Sequence, residues 1–185
     1  MTLPRGFKTH AEKEAIRWRH ELGAGPTASV DLHALAGRLG IAILSAAELV
    51  ERARLVELEH VQAFAFSAAT FQIGDRTIIV TNPLHSVGRL TSDTAHELAH
   101  VLLDHSLSEI QDIAGVPFRT CSPDQEEQAT AFGGTLLLPR PLLLAAAHRG
   151  DSTEAIADTH QVTVEMARYR YNTTGVAKQA RRRSA

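Results

Sequence analysis

Apolar side chains recur every three or four residues through most of this chain, and only short central stretches depart from that rhythm. Over residues 11–22, Ala11, Ala15, Trp18 and Leu22 share one helical face, and Gly23-Ala24-Gly25-Pro26 ends the pattern. A second helix is predicted over 31–39, with Leu32, Leu35, Ala36 and Leu39 on one face and Gly40 as its terminator. A short strand follows at 41–44 and a third helix over about 45–56. Residues 62–73 are rich in aromatic and small side chains, with Phe64 and Phe66 alternating as in a strand. Gly74-Asp75 supplies a turn, and Arg76–Thr81, containing Ile78, Ile79 and Val80, is the plainest strand of all, closed by Asn82-Pro83. These two runs predict an antiparallel pair. Beyond them the period stays helical, with helices near 92–105, 123–138, 141–148, 153–159 and 163–172, and no internal repeat.

The 185 residues suit one domain, and 44% hydrophobic with 22% charged residues is the balance of a globular chain. A formal net charge of -2 argues against a surface built wholly to neutralise nucleic-acid phosphates. Cys121 is the single cysteine, so an intrachain disulfide and a cysteine-based zinc cluster are both excluded. Any metal therefore falls to histidines and carboxylates, and the cytoplasm is the expected location. No basic start leads into an apolar run, and no run approaches the roughly 18 residues of a membrane span, so neither export nor membrane insertion is expected. Histidine is abundant, at 10 residues, and its placement decides the reading.

His96-Glu97-Leu98-Ala99-His100 is a His-Glu-x-x-His motif. Ala95, Leu98, Ala99, Leu102 and Leu103 fall on one arc at helical spacing, and Thr91, Ser92 or Thr94 is placed to cap the start. Two histidines four apart lie about 40° apart around a helix and one turn along it, within reach of one tetrahedral ion. Glu97 is offset from His96 by about 100°, outside direct ligation but near a metal-bound water, where a general base belongs. This composition gives such a motif by chance about 0.04 times, so a third ligand is needed to secure it.

Glu126 is the candidate. Ser122-Pro123-Asp124-Gln125 marks a helix start by cap, first-turn proline and first-turn acid, and Glu126 stands one turn in. Ala129, Thr130, Gly133 and Gly134 continue from its side with little bulk. Each glycine inside a helix costs about 1 kcal/mol relative to alanine, which predicts that the His96–His100 helix comes close there. The bland alternative makes Glu126 a first-turn acid favoured by the helix dipole, a role open to Glu127 as well.

These segments resemble the ImmA/IrrE-type zinc metallopeptidases. The run from Arg89 to Leu103 is similar to that family's active-site helix, and Glu126-Glu127-Gln128-Ala129-Thr130-Ala131-Phe132-Gly133-Gly134-Thr135-Leu136-Leu137-Leu138-Pro139 is similar to its downstream helix. The hairpin ending Ile78-Ile79-Val80-Thr81-Asn82 and the segment 31–41 add to the likeness, which covers roughly 10–175. In that pattern the first glutamate is the third ligand, which selects Glu126 over Glu127. Departures are Ala99 for a frequent glycine, Thr130 for a common asparagine and Gly133 for a usual alanine. Thr130 puts in question which group orients the ligand histidines through their other ring nitrogens.

The resemblance implies an α+β, zincin-like fold: a small antiparallel sheet with N-terminal helices, the active-site helix, and a helical C-terminal half. One domain is expected over 1–175, an α/β part at about 10–90 and a helical part at about 91–175, with a basic flexible tail at 176–185. It implies a zinc endopeptidase, one ion per chain with manganese or iron as substitutes, ligated by His96, His100 and Glu126, with Glu97 catalytic. The implied substrate is a helix-turn-helix repressor, in a stress response or mobile-element regulation. The edge of the Arg76–Thr81 strand is expected to hold the extended peptide. The alternative is a catalytically silent metal-binding regulator, or a DNA-binding protein.

For DNA the case rests on 153–172, which reads as helix, turn, helix. Gln161 stands where such turns often want glycine, and Glu165 opposes phosphate charge near the start of the would-be recognition helix, so this reading ranks second. His160, Arg168, Tyr169 and Tyr171 are the candidate oxyanion donors. His60, His85, His105 and His148 are expected to be solvated or packing residues, with His105 favouring the dipole of the active-site helix as a cation. Cys121 is expected to be inert.

Overall fold

The computed structural model describes residues 3–62, 66–105, 110–113, 116–119 and 122–183; Phe64 and Cys121 lie outside these. Two helices, α1 (Phe7–Glu21) and α2 (Leu32–Arg38), lead into β1 (Ala42–Ser45), α3 (Arg52–Val61), β2 (Ala68–Ile73) and β3 (Arg76–Thr81). Then come α4 (Val87–Leu102), a small hairpin of β4 (Ile110–Ile113) and β5 (Val116–Arg119), and the helices α5 (Pro123–Leu137), α6 (Arg140–Arg149), α7 (Thr153–His160), α8 (Val164–Thr173) and α9 (Val176–Arg183). Among the described residues no single helix is long and apolar enough to cross a membrane.

The helical expectations fall on real helices, with shifts at their ends. Asp31 caps α2 by accepting from the Ala34 amide at 2.9 Å. The cap of α4 is Ser86 rather than Thr91, Ser92 or Thr94, so the helix starts a full turn or more upstream of those residues. The helix expected over 45–56 is split: residues 46–48 form a 3-10 turn closed by a Ser45/Glu48 capping box, and α3 begins only at Arg52. The run expected to be a flexible tail is helical over Val176–Arg183, with Val176 fully buried.

The sheet departs from the expected antiparallel form. Its order is β1-β3-β2, with β2 antiparallel to β3 but β1 parallel to it. Hydrophobic runs identify strands; they do not specify direction, and a parallel partner needs a crossover that local pattern cannot announce. The uninterrupted Ile78-Ile79-Val80 run fits a central strand covered on both faces, and Ile79 is wholly buried. Because β3 is central, its two edges are taken by β1 and β2, and it cannot accept a further strand. Among the described residues, β2 is the edge that packs beside α4.

Helix α4 lies between this sheet and α5, with Ala95, Leu98 and Ala99 completely buried. On α5 the stripe toward α4 is Glu126, Ala129, Thr130 and Gly133, spaced i, i+3, i+4 and i+7. A methyl group at Gly133 would lie 2.8 Å from the Ala95 carbonyl oxygen and 3.1 Å from the His96 backbone nitrogen. The two helices thus meet backbone to backbone, as the glycine suggested. Gly134 is different: its neighbours are the Met166 and Arg170 side chains of α8, not α4.

The far end of α5 is held by buried cations. Arg19, 1% exposed, donates to the Leu137 carbonyl at 3.0 Å, and Arg170 donates to that of Leu138 at 3.1 Å. These groups satisfy helix-end carbonyls that lack intrahelical donors and complement the dipole there. Glu12 balances the charge through an ion pair with Arg170 at 2.7 Å. Burial pushes the Arg19 guanidinium down to about 10, which leaves it charged at neutral pH.

Gly133→Ala is expected to destabilise the protein by about 1–3 kcal/mol, because backbone on both sides must yield. Gly134→Ala, opposed by side chains that can move, should cost clearly less. Denaturant unfolding of the two variants against the parent measures the difference.

Candidate metal centre

The Schellman turn at the end of α4 shapes the site as much as the helix does. Asp104 adopts the left-handed conformation with φ 52°, the His105 amide donates back to the His100 carbonyl at 3.0 Å, and the Asp104 amide to that of Val101 at 3.1 Å. In this turn the residue past the helix end normally touches the one five positions before it through an apolar contact. Here both positions are histidine.

His96 and His100 project from α4 toward Glu126 at the start of α5. The His96 Nε2 lies 3.2 Å from Glu126 Oε2, the His100 Nε2 lies 3.5 Å from Glu126 Oε1, and the two Nε2 atoms are 3.1 Å apart. The edges of a tetrahedron around zinc, with bonds of about 2.0–2.1 Å, measure about 3.3–3.4 Å, so these three separations fit one small ion. Three lone-pair-bearing groups aimed at one point need a proton or a cation among them. Side-chain exposures of 25%, 14% and 39% for His96, His100 and Glu126 leave one side open to solvent, as a catalytic site requires for water and substrate. Glu127 is not among the converging groups.

Burial, reinforced by His96, holds the His100 imidazole below the usual histidine range, while Glu126 and Glu97 oppose that shift. The neutral ring so favoured is the form that ligates metal. Its Nδ1 faces His105 Nδ1 at 3.1 Å. With Nε2 of His100 aimed at the ligand point, Nδ1 carries the proton and donates, which assigns His105 Nδ1 as acceptor. Burial lowers His105 too, and a hydrogen bond that its ring donates to Gln128 acts the other way. His105 is therefore a buried packing residue rather than a solvated cation, as one of the two expectations had it, and it is also a hydrogen-bonding partner of His100, which its place near the helix end did not suggest. The sequence carried a signal for it: a histidine five residues past His100 lands on His100 once the helix closes in a Schellman turn. The other ring is held less closely, with Thr130 Oγ1 3.5 Å from His96 Nδ1.

Glu97 turns the other way, into the interface with the sheet. It is 6% exposed, and Thr70 of β2 donates to its Oε2 at 2.6 Å. Thr70 was not singled out by sequence reasoning, since nothing local marks a strand threonine as facing a carboxylate 27 residues away.

Of the four candidate oxyanion donors, only Tyr169 lines the cavity that also contains His96. His160 instead bonds Ser29 at 2.9 Å in a larger cavity, about 600 Å³, against a different part of α4. Arg168 pairs with Glu154 at 3.3 Å, and Tyr171 packs against the main core. His85 is buried between Glu59 at 3.4 Å and Asp93 at 3.8 Å, whereas His60 and His148 are exposed. In the helix pair α7 and α8, Gln161 takes the left-handed turn position with φ 51°, and Arg170 is buried against α5 rather than presented to a phosphate.

His105→Phe keeps the bulk of the ring and removes the acceptor. It is expected to weaken zinc binding about 10- to 100-fold, the usual cost of losing such a partner, as measured by competition with a chromophoric chelator.

No curated protein and no solved structure matches the chain significantly. A family model does: the IrrE N-terminal-like domain, peptidase M78, matches residues 37–172. That span contains α4, α5 and every residue of the histidine–glutamate group, and by it the chain belongs to the IrrE N-terminal-like peptidase family.

Proposed function

We propose that this protein is a zincin-like metallo-endopeptidase, with zinc held by His96, His100 and Glu126 and with Glu97 as general base and acid. The observation that carries the reading is the convergence of two imidazoles and a carboxylate within 3.1–3.5 Å of one another. Manganese or iron would be accepted by the same donors. When bound, the ion supplies Lewis acidity, polarising the scissile carbonyl and bringing the pKa of water toward neutrality.

Glu97 takes the proton from the attacking water and returns it to the leaving amine. The Thr70 hydroxyl, donating to Glu97 at 2.6 Å, fixes the plane in which the other carboxylate oxygen works. The edge of β2 offers main-chain donors and acceptors for an extended peptide, in place of β3, whose two edges are both occupied. The substrate we assign is a helix-turn-helix repressor in the cytoplasm, on the strength of the family likeness.

Cleavage of a repressor encoded beside this protein should stop on chelation and return with zinc. Glu97→Gln should retain zinc and lose about 10²–10⁴ in kcat, and equal cleavage by that variant would remove the mechanism. Thr70→Val should lower kcat by about tenfold with zinc content unchanged, read by single-turnover cleavage and metal analysis.

A further inference from the structure

A cavity of about 410 Å³ adjoins the metal centre, bounded by His96 and Thr130 on one side and by the first two turns of α8 on the other. Met166 and Tyr169 give it an apolar wall. Its charges do not balance evenly. Arg89 and Asp93 stand 3.4 Å apart, and Arg89 also donates to Ser67 at 3.0 Å, so this pair largely cancels itself. Glu165 is exposed at the start of α8 and forms no ion pair among the described residues. The cavity beside His96 therefore combines an apolar wall with one uncompensated negative charge.

We infer that this cavity is a side-chain pocket for a basic substrate residue, lysine or arginine, with Glu165 as its charge-selecting group; the inference rests on the metallopeptidase reading above. A long aliphatic stem lies along the Met166 thioether and the Tyr169 ring, and its cationic end reaches Glu165. An uncharged chain of equal length gains the wall but not the charge. A glutamate side chain meets a like charge and is rejected. This gives a role to the residue that disfavoured DNA binding at the same position.

The test uses the zinc-loaded full chain and three metal-chelating probes that differ only in side chain: lysine, norleucine and glutamate hydroxamate. Because Glu165 is exposed, the expected discrimination is modest. Calorimetric titration at low salt should show lysine hydroxamate binding about threefold tighter than norleucine hydroxamate and about tenfold tighter than glutamate hydroxamate, with the differences shrinking as salt is added. Glu165→Lys should reverse the lysine–glutamate order, and Glu165→Gln should level it. Equal binding of the three probes within twofold, an order unchanged in both variants, or zinc uptake without binding of any probe would overturn the pocket assignment and leave the metal centre standing. Failure to take up zinc would overturn both.

Discussion

The contact on which the rest of the structure depends is the approach of α5 to α4 at Gly133, where a single methyl group would run into the Ala95 carbonyl. Two helices carrying larger residues at the crossing stand about 8–10 Å apart, and the side chains on their facing stripes then meet only through long rotamers. With glycine at the crossing, Glu126 is brought to hydrogen-bond distance of both imidazoles of α4. The helix-propensity cost of that glycine is the local expense of a site built from two segments that lie 26 residues or more apart in sequence. The buried arginines at the other end of α5 act in the same sense. Arg19 and Arg170 tie its last carbonyls to α1 and α8, so the helix that presents Glu126 is fixed at both ends.

Helix α4 divides its labour by angle. One face, Ala95, Leu98 and Ala99, is the buried core of the protein; a second offers His96 and His100 to α5; a third turns Glu97 to Thr70 on β2. Separating the carboxylate from the imidazoles keeps it out of the ligand group while leaving its charge close enough to act on His100. The Schellman turn then returns the chain to the same helix and sets His105 behind His100. A histidine placed to ligate a metal needs a partner for its other ring nitrogen, and here a helix cap supplies one for His100.

Reading the residues in order recovered more of the site than of the sheet. The helix pattern of α4, the start signals of α5 and the two small residues at 133 and 134 are local features, and all but Gly134 pointed to the neighbour that the fold supplies. Gly134 was the exception within that set, because the same absence of a side chain can serve either of two neighbours, and only packing shows that Met166 and Arg170 of α8 occupy the space. The pairing of His105 with His100 went unseen for a related reason. A helix end is visible in sequence, but the direction in which the chain leaves it depends on one left-handed residue, and Asp104 announces that less clearly than glycine would.

Sequence alone determined which residues make up the candidate site: the His96–Glu97–His100 spacing, Glu126 one turn into a well-marked helix, and the periodicities that make both segments helical. Those are properties of three or four consecutive turns, where backbone geometry ties spacing to direction. Tertiary structure decided the parallel pairing that makes β3 central and leaves β2 as the open edge, the partner of Glu97, and the burial of Arg170 away from any surface. Each of these depends on contacts between segments distant in the chain, whose energies are set by which faces meet rather than by any local pattern.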